Sequence, residues 1–310
     1  MTDATLAQAK QLLELLARER NSSAFVQKLV ERWGLVQQIG REAVSQAQVL
    51  AALEHIQKTT NRFPSTRNGP NFFVPKGYKP NKVEEQVKLL LAWSKKNLDS
   101  DKQLDGSHAD EYAKSWGAYG QAYGLYVAPK ITRLAEKLEH NLDDPFGVDY
   151  GKLIELGPMS ALSSQRKFHN SREGQMGLDR LHLVESARKE LRQLEEIQPE
   201  GDLMVFRADT GTVYAGYRPD YSRWEIENAE PKQWPIDPYT GAWMVYCNKY
   251  RLARYEDLVM YCPGAEYRFE DSSGFDRVLC FDVGGGGLCC GAGWSGGARG
   301  GWGPAFGVCR

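Results

Sequence analysis

Hydrophobic residues recur at steps of three and four along the first part of the chain. The pattern is clearest in residues 6–16, 26–33 and 43–53. Steps of this size place apolar side chains on one face of an α-helix. The pattern therefore predicts a series of amphipathic helices, followed by a loop over 61–82, where Pro, Gly and Asn are frequent.

The helical period continues to about residue 197. It predicts a helix in "KVEEQVKLLLAWSKKNL" (82–98), a second after Pro129 and a charged amphipathic helix over 178–197. Tyr112, Trp116, Tyr119 and Tyr123 form an aromatic stripe at helical spacing. Such a stripe is more often part of a core than a ligand platform, so no chemistry is assigned to residues 1–198.

The pattern changes after "PEGD" (199–202). Short β-like runs follow, bounded by turn residues, and two segments between them have a helical pattern. The predicted strands are 203–208, 212–217, 267–271 and 277–283, and the predicted helices are Tyr239–Asn248 and Arg254–Tyr261. We therefore expect an α+β protein, with a helical domain over 1–198 for assembly or docking of partner subunits, and a mixed α/β domain over 199–310.

Composition and charge exclude several classes of function. The 310-residue chain has a formal net charge of −1, which gives no basis for nucleic acid as a partner. No apolar run reaches the ~18 residues of a membrane span. The first residues, with an acid at Asp3, lack the basic segment and apolar core of a secretory signal. These features predict a cytoplasmic or virion-associated protein.

Metal and cofactor sites are not predicted either. All six cysteines follow residue 246, all five histidines precede residue 183, and no CxxC spacing occurs. A zinc site in the C-terminal part would need thiolates alone, at unusual spacings. We expect no cofactor.

The segment "CFDVGGGGLCCGAGWSGGARGGWGPAFGVCR" (280–310) is the most unusual stretch of the chain. Twelve glycines fall within residues 284–310, a density that strand propensity does not favour. A flexible tail is one interpretation, but Trp, Phe and Cys are threaded through the segment. A phosphate-binding loop is disfavoured because no helical pattern and no Lys follow the glycines.

Three motifs together resemble the C-type-lectin-like domain of formylglycine-generating enzymes, bacterial lectin-like domains and the variable proteins of diversity-generating retroelements. They are "GAWMVYCNKYRLARYEDLVMY" (241–261), "RVLCF" (277–281) and the terminal "AFGVCR" (305–310). In that family an amphipathic helix precedes a "YRLPT-x-x-E" segment, and the chain often finishes in a strand of the type "GFRVCR". Here Ala253 and Arg254 replace the Pro-Thr pair. The resemblance covers roughly the last 75 to 110 residues and none of the helical region.

The variable proteins are the group whose properties account for the glycines. In that family an error-prone reverse transcriptase substitutes adenines in Asn-type codons, which readily yields Gly, Ala, Ser, Cys and Asp. The resemblance thus implies a diversified ligand-binding surface formed by Cys280, Asp282, Gly284, Gly285, Gly286, Gly287, Cys289, Cys290, Gly291, Ala292, Gly293, Ser295, Gly296, Gly297, Ala298, Gly300, Gly301 and Gly303. It implies a fixed scaffold of Phe281, Val283, Leu288, Trp294, Arg299, Trp302 and Phe306, in which the buried indoles of Trp294 and Trp302 anchor the segment.

Two classes of function follow from these observations. The first is a non-enzymatic binding protein of phage or bacterial type, whose C-terminal surface takes a protein or glycan ligand. The second is a thiol oxidase similar to the formylglycine-generating enzymes, with Cys289 and Cys290 as its active thiols, although no His lies near to lower a thiol pKa. A structural phage component with a glycine-rich tail is a third interpretation.

Overall fold

The computed structural model describes residues 78–117, 123–138, 142–272, 274–284, 286–296 and 301–309, without the side chain of Tyr221. The helices predicted over 6–16, 26–33 and 43–53, and the aromatic Tyr119, lie outside the described residues. So do Gly285, Gly297, Ala298, Arg299 and Gly300 of the predicted variable segment.

Helices and strands alternate irregularly along the described residues. The helices are α1 (Val83–Asn97), α2 (Ala109–Ser115), α3 (Ile131–Lys137), α4 (Tyr150–Ile154), α5 (Ser160–Gln165), α6 (Glu185–Ile197), α7 (Pro219–Glu227) and α8 (Pro238–Cys247). A π-helical turn, Glu155–Met159, joins α4 to α5, and a 3-10 turn, Lys249–Leu252, follows α8. The strands are β1 (Gly124–Pro129), β2 (Phe168–Asn170), β3 (Leu181–Leu183), β4 (Leu203–Asp209), β5 (Gln233–Pro235), β6 (Val259–Tyr267), β7 (Arg277–Gly284), β8 (Gly287–Trp294), β9 (Trp302–Pro304) and β10 (Phe306–Val308).

The first sheet pairs β10, near the end of the chain, with strands from the middle of the chain. Its strand order is β1-β4-β10-β5, and all three pairings are antiparallel. Every residue of β4 is buried, and β10 lies between β4 and β5, with Phe306 opposite Asp209 and Pro235. The terminal strand that the family resemblance implies is thus present at Phe306–Val308.

The second sheet carries the glycine-rich segment. Its order is β2-β8-β7-β6-β3, and β9 pairs in parallel with the first residues of β6. Strands β6, β7 and β8 are antiparallel neighbours, whereas β2 runs parallel to β8. The glycine-rich β8 is therefore held by hydrogen bonds on both sides over Leu288–Cys290.

Helix α8 packs against strands of both sheets, β1 in the first and β6 and β7 in the second. It begins at Pro238, whose fixed φ suits a first helical turn, and the Asp237 carboxylate accepts hydrogen bonds from the backbone N–H groups of Tyr239 and Thr240. All ten residues of α8 are buried, and the helix contacts β6 and β7. An apolar helix with no exposed face gives these strands a rigid support.

The predicted domain boundary at 198/199 is wrong. Strand β1, from the predicted helical domain, pairs with β4, from the predicted C-terminal domain, over six residue pairs from Gly124↔Ala208 to Pro129↔Leu203. Residues from both sides of the boundary share one hydrophobic core, and residues 62–310 form one compact unit. Hydrophobic periodicity identified a change of local structure, but it cannot report a strand pairing across nearly 80 residues.

Several predicted elements are confirmed and others are corrected. The α+β class, the helices at 82–98 and 239–248, and the strands at 203–208 and 277–283 are confirmed. Residues 212–217 form turns, and the predicted helix at Arg254–Tyr261 is instead a loop followed by β6. Trp116 is the C-cap of α2, whereas Tyr123 precedes strand β1 and is not part of the predicted helical stripe of aromatic residues. In the described residues, the helices are too short or too polar to cross a membrane.

Candidate functional site

The glycine-rich segment is one arm of a β-hairpin rather than a tail. Strands β7 and β8 pair in continuous register from Arg277↔Trp294 to Gly284↔Gly287. Gly286, in the turn, has a φ of +86°, a left-handed conformation that glycine adopts without strain. Pairing with β7 and β2 overrides the low strand propensity of the glycines.

The two faces of this hairpin have different compositions. Side chains alternate between faces along a strand. Leu279, Phe281, Leu288 and Cys290 are buried in the main core, and Val283 and Ala292 pack against it. We call this side of β7 and β8 the core face. The opposite side, the outer face, carries Val278, Cys280, Asp282, Gly284, Gly287, Cys289, Gly291 and Gly293.

Two predicted variable residues lie on the core face. Cys290 is fully buried and Ala292 packs against the main core, so these positions were wrongly assigned to the ligand-binding surface. Their residue types match the predicted variable set. Because side chains alternate between the two faces along β8, however, these two point into the core. The fixed residues Phe281, Val283 and Leu288 do lie on the core face.

The three aromatic scaffold residues have different environments. Phe306 is 0% exposed and makes edge contacts with Tyr123 and Tyr214. Trp302 is partly buried, with its ring centroid 4.4 Å from that of Tyr261. Trp294 is 59% exposed at the end of β8, so its predicted role as a buried anchor is wrong.

Tyr261 and Trp302 cover one end of the outer face. They pack with Val259, Val278 and Cys280 in a small second cluster, and Cys280 is only 4% exposed. A Cβ atom at Gly293 would overlap the Tyr261 hydroxyl and the Trp302 ring. Cys280 and Gly293 are therefore under this aromatic cover and cannot contact a ligand directly, contrary to prediction.

Other predicted variable glycines are held by close backbone contacts. A Cβ at Gly303 would overlap the backbone of Gly211, and a Cβ at Gly287 would lie 2.7 Å from the Lys167 carbonyl oxygen. Gly301 is buried, and its carbonyl accepts a hydrogen bond from the Val259 N–H. Gly303 and Gly287 have no room for a side chain, and Gly301 is buried. Assigning these three positions to a variable surface was therefore wrong.

Ser295 and Gly296 lie between these extremes. The Ser295 hydroxyl and N–H both donate to the Asp276 carbonyl, which fixes the chain just after β8. A Cβ at Gly296 would lie 3.3 Å from the Trp294 ring. Both positions are partly exposed.

Four predicted positions remain open on the outer face, and we call them the outer patch: Asp282, Gly284, Cys289 and Gly291. Asp282 pairs with Cys289 across the hairpin, and both side chains are partly exposed. A Cβ at Gly284 or Gly291 would make only ordinary contacts, at 3.8 Å from the Cys289 sulfur and 3.9 Å from the Cys280 sulfur, respectively. The outer patch can therefore carry other side chains without displacing its neighbours.

The charges of the outer patch are unusual in one respect. Burial raises the pKa of Asp282. The Cys289 pKa is raised by burial and by the charge of Asp282, against smaller opposing effects of a backbone hydrogen bond with Gly284 and of the charge of Lys167. Within the described ranges, no residue forms an ion pair with Asp282.

The two adjacent cysteines do not form a joint site. Cys289 lies on the outer face, where its thiol is directed at the Gly284 and Gly287 carbonyls. Cys290 lies in the main core, and burial raises its pKa. A thiolate is the reactive form of cysteine, so this arrangement gives no support to a mechanism that needs both thiols together. The described ranges also contain no group of three His, Cys, Asp or Glu side chains that could hold a metal ion.

Comparison with known proteins gives no relative for this arrangement. No family model, no curated protein and no solved structure matches the chain.

Sequence reasoning missed two residues that shape the site. Tyr261 was assigned to a helix, yet it forms the aromatic cover with Trp302. Lys167 was not singled out, yet its carbonyl accepts from the Leu288 N–H and its backbone lies against Gly287. Both lie far from residues 280–303 in sequence, and no local pattern links them to the hairpin.

Proposed function

We propose that this protein is a non-enzymatic binding protein whose C-terminal hairpin displays a retroelement-diversified surface to a protein or glycan ligand. The surface is the outer patch, extended by Ser295 and Gly296. The lectin-like resemblance of the C-terminal segment and the cytoplasmic or virion-associated location are parts of the same proposal.

One observation carries the proposal. Along β7 and β8, the residue types that adenine substitution yields are concentrated on the outer face, while the large apolar residues Phe281, Val283 and Leu288 lie on the core face. A recognition surface of this kind needs a fixed frame and replaceable side chains. The hairpin provides both on two sides of the same strands.

The composition of this copy also limits its contact energy. Hot spots in interfaces are usually Trp, Tyr or Arg, whereas Gly284 and Gly291 offer no side chain. We therefore expect this particular sequence to bind weakly, and copies with larger residues at these positions to bind more tightly.

The DNA surrounding the gene tests the proposal directly. We expect a reverse-transcriptase gene and a near-copy of the segment encoding residues 280–303, differing from it at adenines. The differences should fall in the codons of Asp282, Gly284, Cys289 and Gly291. The codons of Phe281, Val283 and Leu288 serve as the internal control and should be identical in both copies. Absence of a near-copy, or differences spread equally over both faces, would refute the proposal.

A further inference from the structure

Asp282 occupies a distinctive place on the outer patch. Its neighbours on the same face are Cys289 across the hairpin, Cys280 and Gly284 two residues away along β7, and Gly287 and Gly291 diagonally on β8. Three of these five have no side chain, and Cys280 lies under the aromatic cover. The carboxylate therefore stands in a shallow depression whose floor is the backbone of the sheet.

This carboxylate lacks the compensation that a partly buried charge normally has. Burial raises the pKa of Asp282, and within the described ranges its carboxylate has no ion-pair partner. Removing a carboxylate from water without a partner costs free energy. A cation that entered the depression would recover part of that cost.

The opposite end of the depression is aromatic. Gly293, two residues beyond Gly291, lies against the rings of Tyr261 and Trp302, and two residues along a strand span about 7 Å. A group placed over Gly291 would therefore have the Asp282 carboxylate on one side and the partly exposed Trp302 ring on the other. A planar guanidinium can both pair with a carboxylate and stack against an indole.

From this juxtaposition we infer that the depression over Gly291, between Asp282 and Trp302, is a subsite for an arginine side chain of a protein ligand. The inference rests on the proposed function, and it names the ligand class for this copy of the surface. An arginine-bearing protein is favoured over a glycan because neutral sugars carry no cation for Asp282. Since Asp282 is itself a predicted variable residue, the preference belongs to this sequence and not to the fold.

The probe for this subsite is the peptide acetyl-Gly-Arg-Gly-amide, titrated into the ¹⁵N-labelled full-length chain. We expect saturable shifts of the backbone amides of Gly284, Cys289 and Gly291. The peptide with citrulline has nearly the same shape but no charge, and its affinity should be lower by about tenfold or more. The peptide with lysine should also bind more weakly, because an ammonium cannot pair in two places or stack.

Two substitutions locate the binding. Asp282→Asn should weaken arginine-peptide binding about tenfold, and Gly291→Leu should abolish it by filling the depression. Asp110→Asn, on the exposed first turn of α2, is the matched control and should leave binding unchanged. Circular dichroism of each variant confirms that the fold is retained.

The outcomes are distinct. Equal binding of the arginine, lysine and citrulline peptides, or the absence of shifts in the outer patch, would overturn the arginine subsite. If the DNA test still revealed a template copy, the subsite alone would fail. If the peptide bound as expected but no template copy existed, the diversification proposal would fail and a fixed arginine-binding site would remain.

Discussion

Replacing Gly293 with alanine is expected to lower the free energy of unfolding by about 1–3 kcal/mol, the usual cost of overpacking. The added methyl group would overlap the Tyr261 hydroxyl and the Trp302 ring, and both rings are held by the second cluster. Trp302 pairs with Val259 at the start of β9, so displacing its ring would also disturb the connection between β6 and β9.

Gly291→Ala is the matched control for this prediction. It makes the same chemical change on the same face of the same strand, two residues away, where the nearest contact would be 3.9 Å from the Cys280 sulfur. Alanine costs less conformational entropy than glycine, so this variant should be as stable as the parent or slightly more stable. Urea unfolding of both variants provides the measurement. Equal stabilities would show that the aromatic cover does not restrict the outer face.

Truncating Phe306 to alanine should cost about 3–5 kcal/mol, as is typical for a buried Phe. Its ring is 0% exposed, with centroids 5.3 Å from those of Tyr123 and Tyr214. The ring belongs to β10, which joins β4 to β5. A cavity here would loosen the strand that connects the end of the chain to the first sheet.

Trp294→Ala is the control for the second prediction. Although Trp294 was expected to anchor the segment, it is 59% exposed, and surface truncations usually change stability by less than about 0.5 kcal/mol. Thermal unfolding of the two variants should therefore separate them clearly. A loss at Trp294 as large as that at Phe306 would contradict the assignment of these two aromatic residues.

Local sequence patterns predicted the elements whose own residues have a clear strand or helix preference. Strand β7 has alternating large apolar residues, and α8 begins with Pro238 after the N-cap Asp237, a strong helix start. Strand β8 could not be predicted in this way, because six of its eight positions are glycine, alanine or cysteine with little strand preference. Its conformation is imposed by β7 and β2, which are its hydrogen-bonding neighbours.

For the site, the sequence allowed a prediction of which residues form the apolar frame, but not of which glycines are open to change. The apolar residues Phe281, Val283 and Leu288 were correctly assigned to the frame, because large apolar side chains in such a segment must be buried somewhere. The division of the glycines into open and obligatory ones was not predictable. It depends on contacts with Lys167, Gly211 and Tyr261, which the tertiary fold brings to the hairpin from distant parts of the sequence.

The most direct test of the account compares two libraries in the full-length chain. One randomises the outer patch (Asp282, Gly284, Cys289 and Gly291), and the other randomises four positions on the core face (Leu279, Phe281, Leu288 and Cys290). Cell-surface display followed by protease challenge measures the fraction of each library that folds. We predict that the protease-resistant fraction of the outer-patch library exceeds that of the core-face library by about tenfold or more, since core truncations cost several kcal/mol each. Equal fractions would contradict the claim that one face of this hairpin is free to change while the other holds the fold.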